Sequence, residues 1–510
     1  MISRYSVAMT EKLSRRLEDH LARDDGQEDV CFGTYSLSTG TERCTALLTS
    51  VILPGEGERS FHGNASFTGD YVVRAGTLAA ERGEGLVLFH SHPRARGWQR
   101  MSPADEDAER SFAHLVHAIT ERQLVGMTLA GGDRSWSARF WSADGDNFAS
   151  ESVRVIGACY VVSWNSDLRS PPPVDPRQLR TVSGWGPSVQ DNIARLRILV
   201  VGAGSVGLEV AERLAASGVM QVGVMDFDTV EPVNLDRLIG ATSIDAWLHR
   251  SKVEVASRLV KASATALNPD IRTYSWSICE AEGLAVALDY DLVFSCVDRP
   301  WPRAVLNVVA YSDLIPVIDG GIQIDAFQDG GMRNATWRSH VVRPGRPCMV
   351  CNRQLDPAIV AVDREGLMDD PTYITGAGRE PIGRPNVATL SVSVVSSLLN
   401  QFVSLVAAPG GFGEPGPLQY VLSTHTLDRP SLDLRSNCYF EIATAVGDRR
   451  MCIVGRHRQA EIERARRLSS TRLVRLRIGR AIDDAFQAFH VLTRLAAIRA
   501  INAEPMSPED

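Results

Sequence analysis

A chain of 510 residues exceeds what one hydrophobic core serves, and its length implies roughly two to four domains. Hydrophobic residues at 44% and charged residues at 23% are ordinary for a soluble globular protein, while a formal net charge of -7 argues against a nucleic-acid binder, because phosphate contacts need a basic surface. Nine irregularly spaced cysteines do not read as a disulfide framework, and the opening MISRYSVAMTEKLSRRLEDH lacks the apolar core of a signal peptide, so a reducing cytoplasm is expected.

The first 165 residues read as one mixed α/β unit. A helix at about 10–22 leads to strands at VCFGTYSL and CTALLTSVIL, a helix near TGDYVVRAGTLAAE and a strand in LVLFHSHP. The helix EDAERSFAHLVHAI follows, then strands at GMTLAGG, WSARFWS and VRVIGACYVV. Residues two apart on a strand share a face, so His90 and His92 point at one spot that a single ion would bridge. With Asp105 they make the three-ligand open set of a catalytic zinc site. The same SPAD also reads as a plain helix start, with Ser102 as N-cap and Pro103 in the first turn.

HSHP followed by SPAD resembles the JAMM (MPN-type) zinc metalloproteases, which cut the bond after the C-terminal glycine of ubiquitin-like proteins. The resemblance implies zinc on His90, His92 and Asp105, with Ser102 helping to hold the oxyanion. An upstream glutamate, by position Glu28 in GQEDVCFG, would handle the proton. Twelve residues separate His92 from Asp105, two more than in the family pattern, and the extra pair falls in RARGWQR.

NSDLRSPPPVDP breaks the periodicity, and its three consecutive prolines favour a semi-rigid spacer. The expected division is a metalloprotease-like domain over 1–165, a proline-rich linker over 166–178, a second domain over 179–455 and an arginine-rich helical tail over 456–510. In the second domain, RLRILVVGAGSVGLEVAERLAASGV reads as a buried strand, a glycine turn and a helix. Strands at QVGVMDFD, IRTYSWSI, DLVFSCVD and IPVIDGGI alternate with helices, which implies a parallel doubly wound sheet. Gly202, Gly204 and Gly207 form G-x-G-x-x-G, and Asp226 ends the next strand, a pattern that by itself also suits a nicotinamide dehydrogenase. The uncharged run over 387–408 is long enough to span a bilayer, but its five serines, Asn400 and Gln401 mark it as a buried helix, and no membrane contact is expected.

VMDFDTVEPVNLDR followed by a lysine, and then SCVDRPWPR, resembles the Rossmann-like adenylating domain of ThiF and MoeB type, shared by ubiquitin-activating enzymes and the adenylyltransferases of thiamine and molybdopterin biosynthesis. The resemblance implies ATP and magnesium. It assigns Asp226 to the ribose, Asn234, Arg237 and Lys252 to the phosphates, and Asp298 to magnesium and the reacting centre. Lys252 is one of three lysines, with Lys12 and Lys261. Family homodimers send an arginine from this region into the partner's site, here Arg177 in DPRQLRTVSGWG, which otherwise reads as a solvated linker arginine. Cys348 and Cys351 form C-x-x-C, half of a structural zinc site in several family members, with Cys438 and Cys452 as scattered partners. Alternatively one of the pair is a thioester nucleophile.

Together these resemblances imply a bifunctional enzyme of a bacterial ubiquitin-like pathway, with activation and processing of a sulfur carrier as the alternative. Its expected partners are a modifier or sulfur carrier ending in glycine, a conjugating enzyme and a second copy of the chain. Nine arginines between 456 and 480 would dock an acidic partner or simply be solvated, and the polar end NAEPMSPED is expected to be disordered.

Overall fold

A computed structural model describes residues 2–62, 64–369, 385–430, 434–435 and 437–467. In the N-terminal unit the strands are β1 (Arg4–Thr10), β2 (Val30–Thr39), β3 (Arg43–Ile52), β4 (Arg59–His62), β5 (Asn64–Phe67), β6 (Gly85–His92), β7 (Leu124–Ala130), β8 (Ser135–Trp141), β9 (Asn147–Ala149), β10 (Ser152–Ile156) and β11 (Tyr160–Trp164). β4 and β5 form a separate hairpin, and the other nine make one mixed sheet in the order β11-β10-β1-β3-β2-β6-β7-β8-β9.

Two details depart from the expected elements. RYSVAMT precedes the first helix as β1, which pairs in parallel with both β3 and β10, so the chain begins inside the sheet. The stretch read as one strand over 153–162 is two, β10 and β11, which fold back on each other antiparallel. The turn between them is confined: a Cβ on Gly157 would lie 2.1 Å from Glu11 Oε2.

Helices α1 (Glu11–Leu21), α2 (Gly69–Glu81) and α3 (Pro103–Thr120) cover the sheet. Thr10 caps α1 by accepting the Leu13 N–H, and α1 buries Leu17 and Leu21 against the face that carries Val87 and Phe89. α2 and α3 bury Tyr71, Ala75, Ala113 and Val116 on the opposite face, against Leu86 and Leu88. Strand parity then carries His90 and His92 to the α2/α3 side, where Asp105 sits in the first turn of α3.

The second unit contains β12 (Arg197–Val201), β13 (Gln221–Met225), β14 (Asp270–Tyr274), β15 (Leu292–Ser295), β16 (Val317–Ala326), β17 (Met332–Val342), β18 (Leu418–Val421) and β19 (Thr426–Asp428), in the order β14-β13-β12-β15-β16-β17-β18-β19. The first five neighbours are parallel, as expected of a doubly wound sheet. The last three extend it antiparallel, which corrects the all-parallel reading. The cause is local. After ten residues β16 turns back through Gly330 and Gly331, both at positive φ, and returns as β17 without a crossover helix.

Helices α4 (Ser205–Ala216), α5 (Lys252–Ser263), α6 (Pro300–Ser312) and α7 (Ala388–Ala407) pack on this sheet. Among the described residues α7 alone is long and apolar enough to cross a membrane. It buries Val394, Val395, Leu398 and Phe402 in the same core as Ile198 and Val200, and its buried Gln401 donates to Gly416 O at 2.8 Å.

Residues 166–178 join two units that are already docked. Ala8, Leu47, Ile156, Tyr160 and Trp164 belong to the same apolar cluster as Ile198, Val200 and Leu292. Fully buried Arg43 on β3 pairs with fully buried Asp291 and donates to Leu288 O at 2.8 Å. Asp291 also accepts the Arg197 N–H at 2.9 Å, and Arg197 grips Glu151 of the first unit at 2.8 Å. Tyr160 donates its hydroxyl to Asp291 O at 2.9 Å.

Candidate functional site

The second unit changes strand order between β12 and β15, the crevice in which open α/β sheets bind ligands. There the chain leaves β12 through Gly202 at φ 96° and enters α4. The three glycines serve different ends. A Cβ on Gly202 would meet Cys296 O at 2.6 Å, and one on Gly207 would sit 1.8 Å from Gly202 O, so both are demanded by the turn. A Cβ on Gly204 would meet nothing within 4 Å, so the fold itself leaves that position open, beside a helix N-terminus suited to an anion.

A cleft of about 1250 Å³ opens in front of this turn, lined by Gly202, Gly204, Asp226, Asn234, Arg237, Lys252 and Asp298. Six residues expected to bind nucleotide and the expected magnesium residue therefore converge, while Gly207 lies behind the turn. Asp226 is held by two backbone donors, Ala203 N–H and Asp228 N–H, each at 2.7 Å. Lys252, the first residue of α5, donates to Asp228 at 2.8 Å. Burial works against its charge, yet Asp226 and Asp228 hold its pKa above the ordinary lysine value. Arg237 donates to Val233 O at 2.7 Å and pairs with Asp236 at 2.8 Å. Both cations thus wait on carboxylates at the edge of the cleft. Arg177 is elsewhere: it binds Asp175 at 2.9 Å and reaches Thr265 O at 3.1 Å, outside the cleft lining.

Residues 176–425 match the ThiF family. This stretch is a ThiF-family domain. Within it, 150 residues are 31% identical to the molybdopterin-synthase adenylyltransferase of Escherichia coli (strain K12), covering 28% of this chain and 58% of that protein. Another 139-residue match is 34% identical to the sulfur carrier protein adenylyltransferase of Thermus thermophilus, covering 27% of this chain and 49% of that one. The chain spans about half the length of these curated relatives. Among solved structures, Escherichia coli MccB with ATP is 16% identical at a TM-score of 0.40, over 53% of this chain and 76% of that chain.

The walls of the ThiF cleft include residues that the sequence did not announce. Trp276, Ser277 and Ile278 follow β14, Asp363–Leu367 close one side, and residues from Arg456 to Arg466 close another. Arg299 pairs with Asp363 at 3.2 Å, and Asp363 also accepts the Trp301 N–H at 3.0 Å, which ties the 363 segment to α6.

Away from the cleft, Cys348, Cys351 and Cys438 place their sulfurs within 4.8 Å of one another. Cys452 does not join them. Its exposed thiol lies against Val454 O. All three clustered thiols are buried, a setting that suits a structural ion better than a nucleophile that must meet a protein substrate.

In the N-terminal unit, donor atoms of His90, His92 and Asp105 also fall within 4.8 Å of one another. Burial pushes His90 down to about 3, so it is neutral, as a metal ligand must be. Gln99 sets the ring of His92. Its amide nitrogen donates to Arg96 O at 2.9 Å and Gly97 O at 3.0 Å, so Oε1 faces His92 Nδ1 at 3.1 Å. Nδ1 then carries the hydrogen, and Nε2 faces Asp105 at 3.9 Å, whose carboxylate raises the pKa of the ring. Gln99 sits in the RARGWQR insertion, so the longer loop supports the site.

Ser102 caps α3, with its hydroxyl donating to Asp105 at 2.7 Å and accepting the Asp105 N–H at 3.2 Å. The helix-start reading of SPAD is observed, and the serine hydroxyl orients the aspartate. Glu28 is half-buried, and burial raises its carboxyl pKa, with His92 and Asp105 near enough to act on it. Its position is fixed by Ser91, the residue between the histidines. Ser91 Oγ accepts the Asp29 N–H at 3.0 Å and Ser91 N–H donates to Asp29 O at 3.1 Å.

Proposed function

We propose that this chain is a two-headed enzyme of a bacterial ubiquitin-like modifier pathway. The ThiF domain activates the C-terminal glycine carboxylate of a small modifier with ATP, and the N-terminal unit hydrolyses the bond that follows that glycine in a precursor or conjugate. The carrying observation is the convergence of Asp226, Asn234, Arg237, Lys252 and Asp298 on one cleft in front of the glycine turn. In the reaction, a carboxylate oxygen bonds to the α-phosphorus of ATP while the α–β phosphoanhydride bond breaks, which gives acyl-adenylate and pyrophosphate. Two anions must meet, so Arg237 and Lys252 exchange their resting carboxylate partners for phosphate oxygens, and Asp298 positions magnesium.

The second head is supported by the match of its donor set to zinc: two imidazoles and one carboxylate, all within 4.8 Å of one another. Zinc bound there would supply Lewis-acid polarisation of a water and of the scissile carbonyl. Glu28, with its raised pKa, takes the proton of the attacking water and returns it to the leaving amine. Ser102 reaches the oxyanion by turning its hydroxyl away from Asp105. Cys348, Cys351 and Cys438 would hold a further structural zinc, one thiolate short of a closed four-sulfur site. A conjugating enzyme and a second copy of the chain complete the set of partners; in such a dimer Arg177 would leave Asp175 to reach the other cleft.

Activation of a sulfur carrier is a second reading, favoured by two of the curated relatives, named as a molybdopterin-synthase adenylyltransferase and a sulfur carrier protein adenylyltransferase. The test is pyrophosphate exchange into ATP with glycine-ended candidates. Exchange should depend on the modifier, vanish in Asp298→Ala and persist in Glu28→Gln, which should retain zinc and lose cleavage. No exchange with any candidate, together with tight binding of a nicotinamide cofactor, refutes the adenylation reading. A thiocarboxylate product in place of a protein conjugate selects the sulfur-carrier reading.

A further inference from the structure

The described start of the tail, residues 456–467, expected to belong to a solvated or partner-docking arginine segment, folds back over the nucleotide cleft; the further arginines up to 480 and the end NAEPMSPED lie outside the described residues. Helix α8 (Arg458–Arg467) and the residues leading into it are held at five points on the C-terminal edge of the ThiF sheet. Trp301 donates its indole N–H to Ile453 O at 2.8 Å, and Gly455 N–H donates to Cys279 O at 2.8 Å. The His457 ring packs between Phe227 and Trp301, with centroids at 5.0 and 5.3 Å. Arg464 lies over the Trp276 ring at 4.6 Å and donates to Glu280 at 2.7 Å. Arg467 donates to Phe227 O at 2.7 Å and to Asp228 O at 3.2 Å.

These anchors leave the glycine turn free. They fall after β13 and β14, beside Asp226, and at the start of α6, beyond Asp298, and none of them is a residue of the glycine turn. Phe227 and Asp228 directly follow the carboxylate assigned to ribose. Between the anchors, His457, Arg458, Ile462 and Arg466 line the cleft itself.

We infer that residues 456–467 form the wall that holds the base and ribose of the nucleotide, a role outside the stretch that matches the ThiF family and resting on the ATP reading above. The ligand class is a purine nucleoside unit, while the phosphates are left to the glycine turn, Arg237 and Lys252. Arg464 and Arg467 are positioning residues: neither lines the cleft, and each fastens the wall to it.

The test is full-length Arg464→Ala/Arg467→Ala, titrated with ATP and, separately, with tripolyphosphate, a probe that carries the phosphates without the nucleoside. Loss of a charge-assisted pair and a cation–π contact should weaken ATP about tenfold and leave tripolyphosphate unchanged. Faster tryptic cutting within 458–467 reports release of the wall. Unchanged ATP affinity with the wall released overturns the inference, and so does an equal loss for both ligands. Arg464→Glu should weaken ATP, and adding Glu280→Arg should restore it; failure of the swap to restore overturns the anchoring role. A wild-type protein that binds no ATP instead overturns the adenylation reading itself.

Discussion

Asp291→Ala should separate the two heads. This carboxylate is 0% exposed and faces Arg43 and Arg154, also 0% exposed, as well as buried Arg197. Burial works to raise its pKa, but Arg43, Arg197 and Arg154 outweigh that and hold it below the usual carboxylate range. Removing the carboxylate strands buried guanidinium groups from both sides of the junction, and breaking a buried pair in this way costs about 3–5 kcal/mol. A cooperative unit of 150–250 residues shifts by ~2–4 °C per kcal/mol, so the melting temperature should fall on the order of 6–20 °C, measured by calorimetry. The sign with pH follows from the depressed pKa. Asp291's contribution is complete above the unfolded value of about 3.9 and is lost as pH falls through the folded value. Wild-type stability should therefore decline more steeply in strong acid than that of Asp291→Asn, which has no charge there to lose. A melting temperature within a degree of wild type in Asp291→Ala would refute the view that this network fastens the heads.

Gly204→Ala and Gly207→Ala should part company. The first should melt like wild type, because its Cβ meets nothing within 4 Å, yet bind ATP at least about tenfold more weakly if phosphate needs that space. The second, with a Cβ 1.8 Å from Gly202 O, should lose about 1–3 kcal/mol of stability as well, read from denaturant midpoints. Gln99→Ala should lower zinc affinity about 10–100-fold in chelator competition without affecting ATP binding; unchanged affinity would show that Gln99 does not orient His92.

The parts of both sites that lie within a few residues of one another were legible. Alternation in LVLFHSHP placed both histidines on one face, and SPAD placed Ser102 and Asp105 at a helix start, because strand and helix periodicities are local properties. The glycine turn and Asp226 followed from strand–turn–helix order in the same way. What escaped depended on distant partners. RYSVAMT gives a weak strand signal, and its place in the interior of a sheet comes from pairing with the strands of Thr45 and Ser152. Cys438 and Cys452 could not be told apart as partners of the C-x-x-C, because packing alone brings Cys438 to Cys348. Arg464 looked solvated because nothing near it in sequence reveals Glu280 and Trp276.

The early position of β1 governs how this protein can be made. Its residues wait for neighbours across a long stretch of synthesis: Ser6 meets Thr45 soon, but its other flank belongs to Ser152. At translation rates of about 5–20 residues per second, that flank stays open for on the order of 10–30 s, with an unpaired strand edge free to find another nascent chain. Even then the first head is unfinished. Arg43 and Tyr160 have their partners around Asp291, so its charged underside is neutralised only when the second head has emerged and folded against it. Expressed alone, residues 1–165 should need a chaperone or aggregate, and the two units should mature in the cell in a fixed order, with the second unit completing the first.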